Sequence, residues 1–165
     1  MSNNANSNFN LSNKEIKNLV YKNYGFDCSI RRLDGEKDLN FRLLTKNKEK
    51  YYLKFYPKKT KLNFVVFQTR LLDYLSDKTE LKTPENILSK NRKRYCMYID
   101  NENNKRYFRI NSWIKGRLWS KVNPINNKIR FELGKEAALI TKNLRNFKSN
   151  YNDKEMQWDI SNSLW

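Results

Sequence analysis

Three strand-like segments follow one another between residues 28 and 56, and the connections between them are too short to hold a crossover helix. The segments are Cys28–Leu33, Leu39–Thr45 and Lys50–Tyr56; the last is rich in aromatics and is closed by Pro57. The polar stretches Asp34-Gly35-Glu36-Lys37-Asp38 and Lys46-Asn47-Lys48-Glu49 divide them as turns. A parallel pair needs a connection of about a dozen residues or more, so strands joined this closely run antiparallel.

The flanking sequence supplies the rest of a layered fold. Ser12 and Glu15 have capping-box spacing, Leu11 and Ile16 occupy the staple positions, and Leu19 and Val20 continue an apolar face toward the stop at Gly25. A second helix is predicted over Thr60–Ser76, where Leu62, Val65, Val66, Leu72 and Leu75 recur at helical spacing. Beyond the loop at Pro84 come a short strand near Asn86–Lys90 and two stronger ones, Arg94–Ile99 and Arg106–Trp113, joined by the turn Asp100–Asn104. Gly116 and Pro124 break the pattern. A last helix is predicted over Asn127–Phe147, with Ile129, Leu133, Ala137, Ile140 and Leu144 on one stripe. This order predicts an α+β fold: an antiparallel sheet of about five strands with an inserted helix, followed by a further helix.

Composition narrows the chemistry. At 165 residues, 38% of them hydrophobic, the chain suits one domain with its own core. Residues Met1–Asn10 are rich in Asn and Ser and read as a solvated tail. No window approaches the roughly 18 apolar residues of a membrane span, and the N-terminal stretch lacks the apolar run of a secretory signal, so no membrane partner is expected and the expected compartment is the cytoplasm. Cys28 and Cys96 lie far apart in strand-like runs and read as reduced core thiols. The absence of histidine excludes His-based acid–base chemistry, His-containing zinc sites and Ser-His or Cys-His nucleophiles. A net charge of +17 suits a polyanion or a phosphorylated small molecule, but the cations are spread evenly, as Lys46, Lys58, Lys90, Lys121 and Lys148 illustrate.

Three local motifs then appear in order. Leu33-Asp34-Gly35-Glu36-Lys37-Asp38-Leu39-Asn40-Phe41 ends in D-x-N-F, Tyr52-Leu53-Lys54-Phe55 matches a Y-V-L-K-I strand, and Ile110-Asn111-Ser112-Trp113-Ile114-Lys115-Gly116 is similar to L-L-T-Y-L-P-G. Together with Leu133-Gly134-Lys135-Glu136-Ala137-Ala138 and Trp158-Asp159-Ile160, they resemble the aminoglycoside-phosphotransferase and choline-kinase-like superfamily, nearest its hydroxylysine-kinase-like branch. The resemblance covers about residues 25 to 160 and implies a kinase-like N-terminal lobe at 11–116. Residues 117–165 would be the inter-lobe connector and the start of a C-terminal lobe.

The resemblance also implies a site. ATP with Mg²⁺ would be the nucleotide, and Lys54 would hold its phosphates beneath the turn carrying Gly35, Asp38 and Asn40. The Ser112 carbonyl and the Ile114 amide would meet the adenine. Gln68 stands where many kinases place a glutamate for the lysine, able to accept a hydrogen bond but not to supply a countercharge. The family's H-G-D-x-x-x-x-N motif is missing, and none of the aspartates is followed five residues later by Asn. The catalytic Asp and the metal ligands are therefore expected in a C-terminal lobe outside this sequence, and the chain as a truncated or split kinase. Trp113, Trp119, Trp158 and Trp165 are candidates for the surface that packs on such a lobe. Two other readings stay open. One is a nucleic-acid-binding sheet built on the Arg-, Lys- and Tyr-rich segments Lys50–Lys59 and Arg92–Arg109. The other is a catalytically inactive scaffold.

Overall fold

Ser12 opens the first helix, α1 (Asn13–Tyr24), with both halves of a capping box. Its hydroxyl accepts from the Glu15 amide, while the Glu15 carboxylate accepts from the Ser12 amide at 2.7 Å. Gly25 ends it at φ 87°, a left-handed conformation that glycine adopts without Cβ strain, and its amide donates to the Tyr21 carbonyl. The computed structural model describes residues 11–35, 38–78 and 80–151. The expected N-terminal tail, Trp158-Asp159-Ile160 and Trp165 lie outside them.

Strands β1 (Cys28–Leu33), β2 (Leu39–Thr45) and β3 (Lys50–Phe55) form the antiparallel meander expected from their turns. Helix α2 (Leu62–Ser76) follows, then β4 (Asn86–Ile87), β5 (Cys96–Ile99) and β6 (Lys105–Ser112). The six-stranded sheet runs β1-β2-β3-β6-β4, and β5 pairs the stretch of β6 next to that paired by β4. The strand expected over Asn86–Lys90 stops at Ile87, because the Ser89 amide turns to the Lys93 carbonyl and the Arg92 amide to the Ser89 carbonyl. Arg92 itself takes a positive φ of 55° there.

Period-two alternation gives the sheet two unlike faces. Phe41, Leu53, Ile110 and Ile87 align across β2, β3, β6 and β4. Leu39, Phe55, Phe108 and Cys96 form the next row. Both rows pack with Ile16 and Val20 of α1 into the core. Each fully buried aliphatic or aromatic side chain there contributes about 1.5–3 kcal/mol. Cys28 and Cys96 are free thiols, as their strand positions imply.

The opposite face is polar and carries α2. Its rows are Arg42, Tyr52, Asn111 and Asn86, and then Asn40, Lys54 and Arg109. Val65, Thr69 and Leu75 are the buried residues of α2. A polar clamp fixes the helix in place: the Asn86 amide donates to the Thr69 carbonyl and to Asp73 Oδ1, both at 2.8 Å, and Asn86 Oδ1 accepts from Asn111. Arg94 pairs with the same Asp73.

A 3₁₀ turn (Trp119–Lys121) leads to α3 (Asn127–Leu144), capped by Asn126. This helix touches α2 near its C-terminal end, where the Tyr74 hydroxyl donates to the Asn143 carbonyl and Phe147 meets Phe67 and Tyr74. The expected apolar stripe is not buried by the described residues: Leu133, Ala137 and Ile140 are exposed, and Ile129 and Leu144 are half-buried. Trp119 is likewise exposed, whereas Trp113 is half-buried.

Candidate functional site

Lys54 sits at the centre of the polar face because β3 places Tyr52 and Lys54 on the side opposite Leu53 and Phe55, and Tyr56 follows just past the strand's end. Its ammonium lies 2.7 Å from Asp38 Oδ2, with the two side chains 12% and 29% exposed. Burial lowers the Lys54 pKa below its ordinary value, and the nearby Arg109 charge adds to that, while Asp38 opposes both. The carboxylate favours the charged form of the lysine against the cost of burial.

The partner differs from the expected one. Gln68 on α2 does not take the lysine; its Oε1 accepts from the Tyr56 hydroxyl at 3.1 Å. The carboxylate comes from the β1–β2 turn instead. Asp38 reaches Lys54 because Asn40, two residues on, is the cross-strand neighbour of Lys54 and carries the turn over it. A carboxylate repels phosphate, so Asp38 can favour a phosphate only through its backbone or by steadying Lys54.

Gly35 and Asn40 shape that turn. A Cβ on Gly35 would come within 2.8 Å of the Asp38 carbonyl oxygen and would also run into the Asn40 amide group, so only glycine fits. Asn40 is buried, and its Oδ1 accepts from the Tyr52 hydroxyl at 2.6 Å. Burial pushes Tyr52 up to about 12, helped by Asp38 and opposed by Arg109. Residues 36 and 37, at the tip of the expected phosphate turn, lie outside the described residues.

Beside Lys54 opens a cleft of about 330 Å³ lined by Tyr52, Leu72, Pro84, Arg109, Asn111 and the Ser112–Ile114 segment. Its apolar walls and few polar groups have the makeup of a small-molecule site. Ser112 and Ile114 both line it. The Ser112 amide donates to the Glu85 carbonyl and its hydroxyl accepts from the Glu85 amide, both at 2.9 Å, which ties this end of β6 to the β4 side.

The structure adds Tyr56 and Arg109, which lie outside the matched motifs, and gives a place in the site to Tyr52, the first residue of one of them. Alternation around Lys54 marks the two tyrosines, and the cross-strand pairing of Lys54 with Arg109 marks the arginine. Lys54 Nζ lies 5.0 Å from the Tyr56 ring centroid and Arg109 Cζ 5.9 Å from it. Burial pushes Tyr56 up to about 12, with Arg109 opposing. Phe55 and Tyr56 are each 1% exposed, which removes both rings from any base-stacking surface on this strand.

Among the described residues no group of three or more His, Cys, Asp or Glu side chains could hold a metal ion. No helix among them is long and apolar enough to cross a membrane.

The sequence model described as the Phosphotransferase enzyme family (APH) matches residues 29–165. Solved structures that share the fold include two kinases. One is amicoumacin kinase hAmiN in complex with AMP-PNP, Ca²⁺ and Ami, with a TM-score of 0.73 and 14% identity over 86% of this chain and 42% of that one. The other is the microcompartment-associated aminopropanol kinase, with a TM-score of 0.70 and 12% identity over 90% of this chain and 46% of that one. The chain thus spans less than half the length of either neighbour. No curated protein matches its sequence.

Proposed function

The chain belongs to the phosphotransferase enzyme family, and from that premise we propose that it is the nucleotide-binding N-terminal lobe of a small-molecule kinase. The observation that carries this reading is the half-buried Lys54–Asp38 pair on the same sheet face as Tyr52 and Arg109, which line the apolar cleft. Lys54 binds phosphate oxygens of ATP, the Gly35–Asn40 turn lies over them, and the Ser112–Ile114 segment frames the adenine in the cleft.

In this account residues 11–116 form the lobe, and 117–165 lead toward a C-terminal lobe that supplies the base and the ligands for Mg²⁺. The terminal phosphoryl group passes from ATP to a hydroxyl oxygen of an amino acid or amine, the hydroxyl proton goes to that base, and ADP leaves. The hydroxylysine-kinase-like branch and a cytoplasmic setting, where ATP is plentiful, accord with this reading. This chain's own part is to bind and orient the nucleotide, since charge neutralisation and positioning supply most of the catalysis of phosphoryl transfer.

Titration with ATP, with and without Mg²⁺, tests the reading. Lys54→Ala should weaken ATP binding about tenfold or more, in line with the loss of one charge-assisted contact, while polynucleotide affinity falls only slightly. Equal losses for both ligands favour the nucleic-acid alternative, and wild-type protein that binds no ATP favours the scaffold.

A further inference from the structure

Arg106 and Arg109 stand three residues apart on β6, both buried, yet only one has a carboxylate. Arg106 Nη1 lies 3.2 Å from Asp100 Oδ2. Arg109 is 7% exposed, and its Nε and Nη1 atoms are buried with no hydrogen-bond partner. Among the described residues no carboxylate pairs with it. Its contacts are the ring and the hydroxyl of Tyr56.

A buried guanidinium is costly unless paired, because an aromatic face does not replace the hydration it has lost. The surroundings deepen the deficit. Arg109 lies directly across the β3–β6 ladder from Lys54, and among the described residues the carboxylate that pairs with Lys54, Asp38, does not pair with Arg109. Two cations therefore share one countercharge on a face largely shielded from water. Arg109 also lines the cleft, so its unpartnered N–H groups lie just behind the surface that a ligand entering there would touch.

We propose that Arg109 is a second anion-binding arm of this cleft, taking a phosphate oxygen of the nucleotide beside Lys54. The proposal rests on the nucleotide reading given above and deepens it. A phosphate supplies the missing negative charge and oxygens spaced for the planar fork of the guanidinium. The ligand class is a nucleoside di- or triphosphate rather than a nucleoside, because the part of the site left unsatisfied is anionic in its demand. The Tyr56 ring carries both cations before the ligand arrives and holds them as a pair of arms.

The test uses the full chain in wild-type form and as Arg109→Gln and Arg109→Lys, titrated calorimetrically with adenosine, ADP and ATP, with melting temperatures recorded for the free proteins. Arg109→Gln should weaken ADP and ATP binding about tenfold or more while adenosine affinity stays unchanged, and Arg109→Lys should lose less. Free Arg109→Gln should melt no lower than wild type, because the substitution removes an uncompensated buried charge. A purely structural Arg109 would lower the melting temperature and leave the ATP-to-adenosine affinity ratio intact, which overturns the proposal. If Arg109→Gln does not fold, Arg109→Lys decides: unchanged ATP affinity overturns the arm, and selective loss for ATP over adenosine supports it. Wild type binding ATP with an unaffected Arg109→Gln refutes the arm alone. Wild type binding no ATP refutes the nucleotide reading and the arm with it.

Discussion

At the scale of single residues, the Lys54–Asp38 pair decides how the site behaves before a ligand arrives. Both side chains are mostly buried, so removing one partner strands the other in a poorly hydrated place. Asp38→Asn should lower the stability of the free chain by about 1–3 kcal/mol, measured by urea unfolding. The same variant should gain more in melting temperature from saturating ATP than wild type does, because phosphate then replaces the lost countercharge; an equal or smaller gain would contradict the assignment of Lys54 to phosphate. Lys54 itself was legible from its strand and its motif. Its partner was not, since the β1–β2 turn is close to β3 only through strand pairing. A rule borrowed from the following helix points to Gln68, which binds Tyr56 instead.

At the scale of elements, the meander and the helices were legible because turn chemistry and periodicity are local. Ser12, Glu15 and Gly25 bracket α1 where their spacing puts them. What escaped the sequence was the docking of α2 onto the polar face. That contact runs through Asn86 and Asn111, two amides whose value comes only from register. Asn111 is buried and also donates to the Glu85 carbonyl at 3.2 Å, so Asn111→Ala removes both bonds and leaves the half-buried Asn86 Oδ1 without its donor. The expected cost is about 1–3 kcal/mol in urea unfolding, together with faster hydrogen exchange along α2. The β1–β2 turn is the second element under constraint. Gly35→Ala brings a methyl group within 2.8 Å of the Asp38 carbonyl. It should displace Asp38 from Lys54 and reduce ATP affinity several-fold, with little change in α1 or the core; nuclear magnetic resonance of the core methyl groups would check the latter.

At the scale of the whole molecule, one sheet separates two environments, an apolar core under α1 and a polar, charged face under α2. That division makes stability depend on pH in a definite direction. Burial raises Tyr52, Tyr56 and Tyr98 from 10.0 to about 12. The folded chain therefore keeps these protons when the unfolded chain loses them, so stability present below pH 10 drains away as pH rises through 12. Lys54, lowered from 10.5, acts oppositely: the unfolded chain holds that proton longer, so rising pH relieves its penalty below 10.5. Three tyrosines outweigh one lysine, and urea midpoints should fall steeply between pH 10 and 12. The exposed residues of α3, Phe131 at 70% among them, belong to the same scale, because the stripe that periodicity found there has no described partner. The central claim is that the cleft beside Lys54 takes a nucleotide, and mapping amide chemical shifts during an ATP titration tests it most directly. The account predicts shifts concentrated at Gly35, Asp38, Asn40, Lys54, Arg109 and Ser112–Ile114; shifts confined to α3, or scattered over surface lysines and abolished by salt, would contradict it.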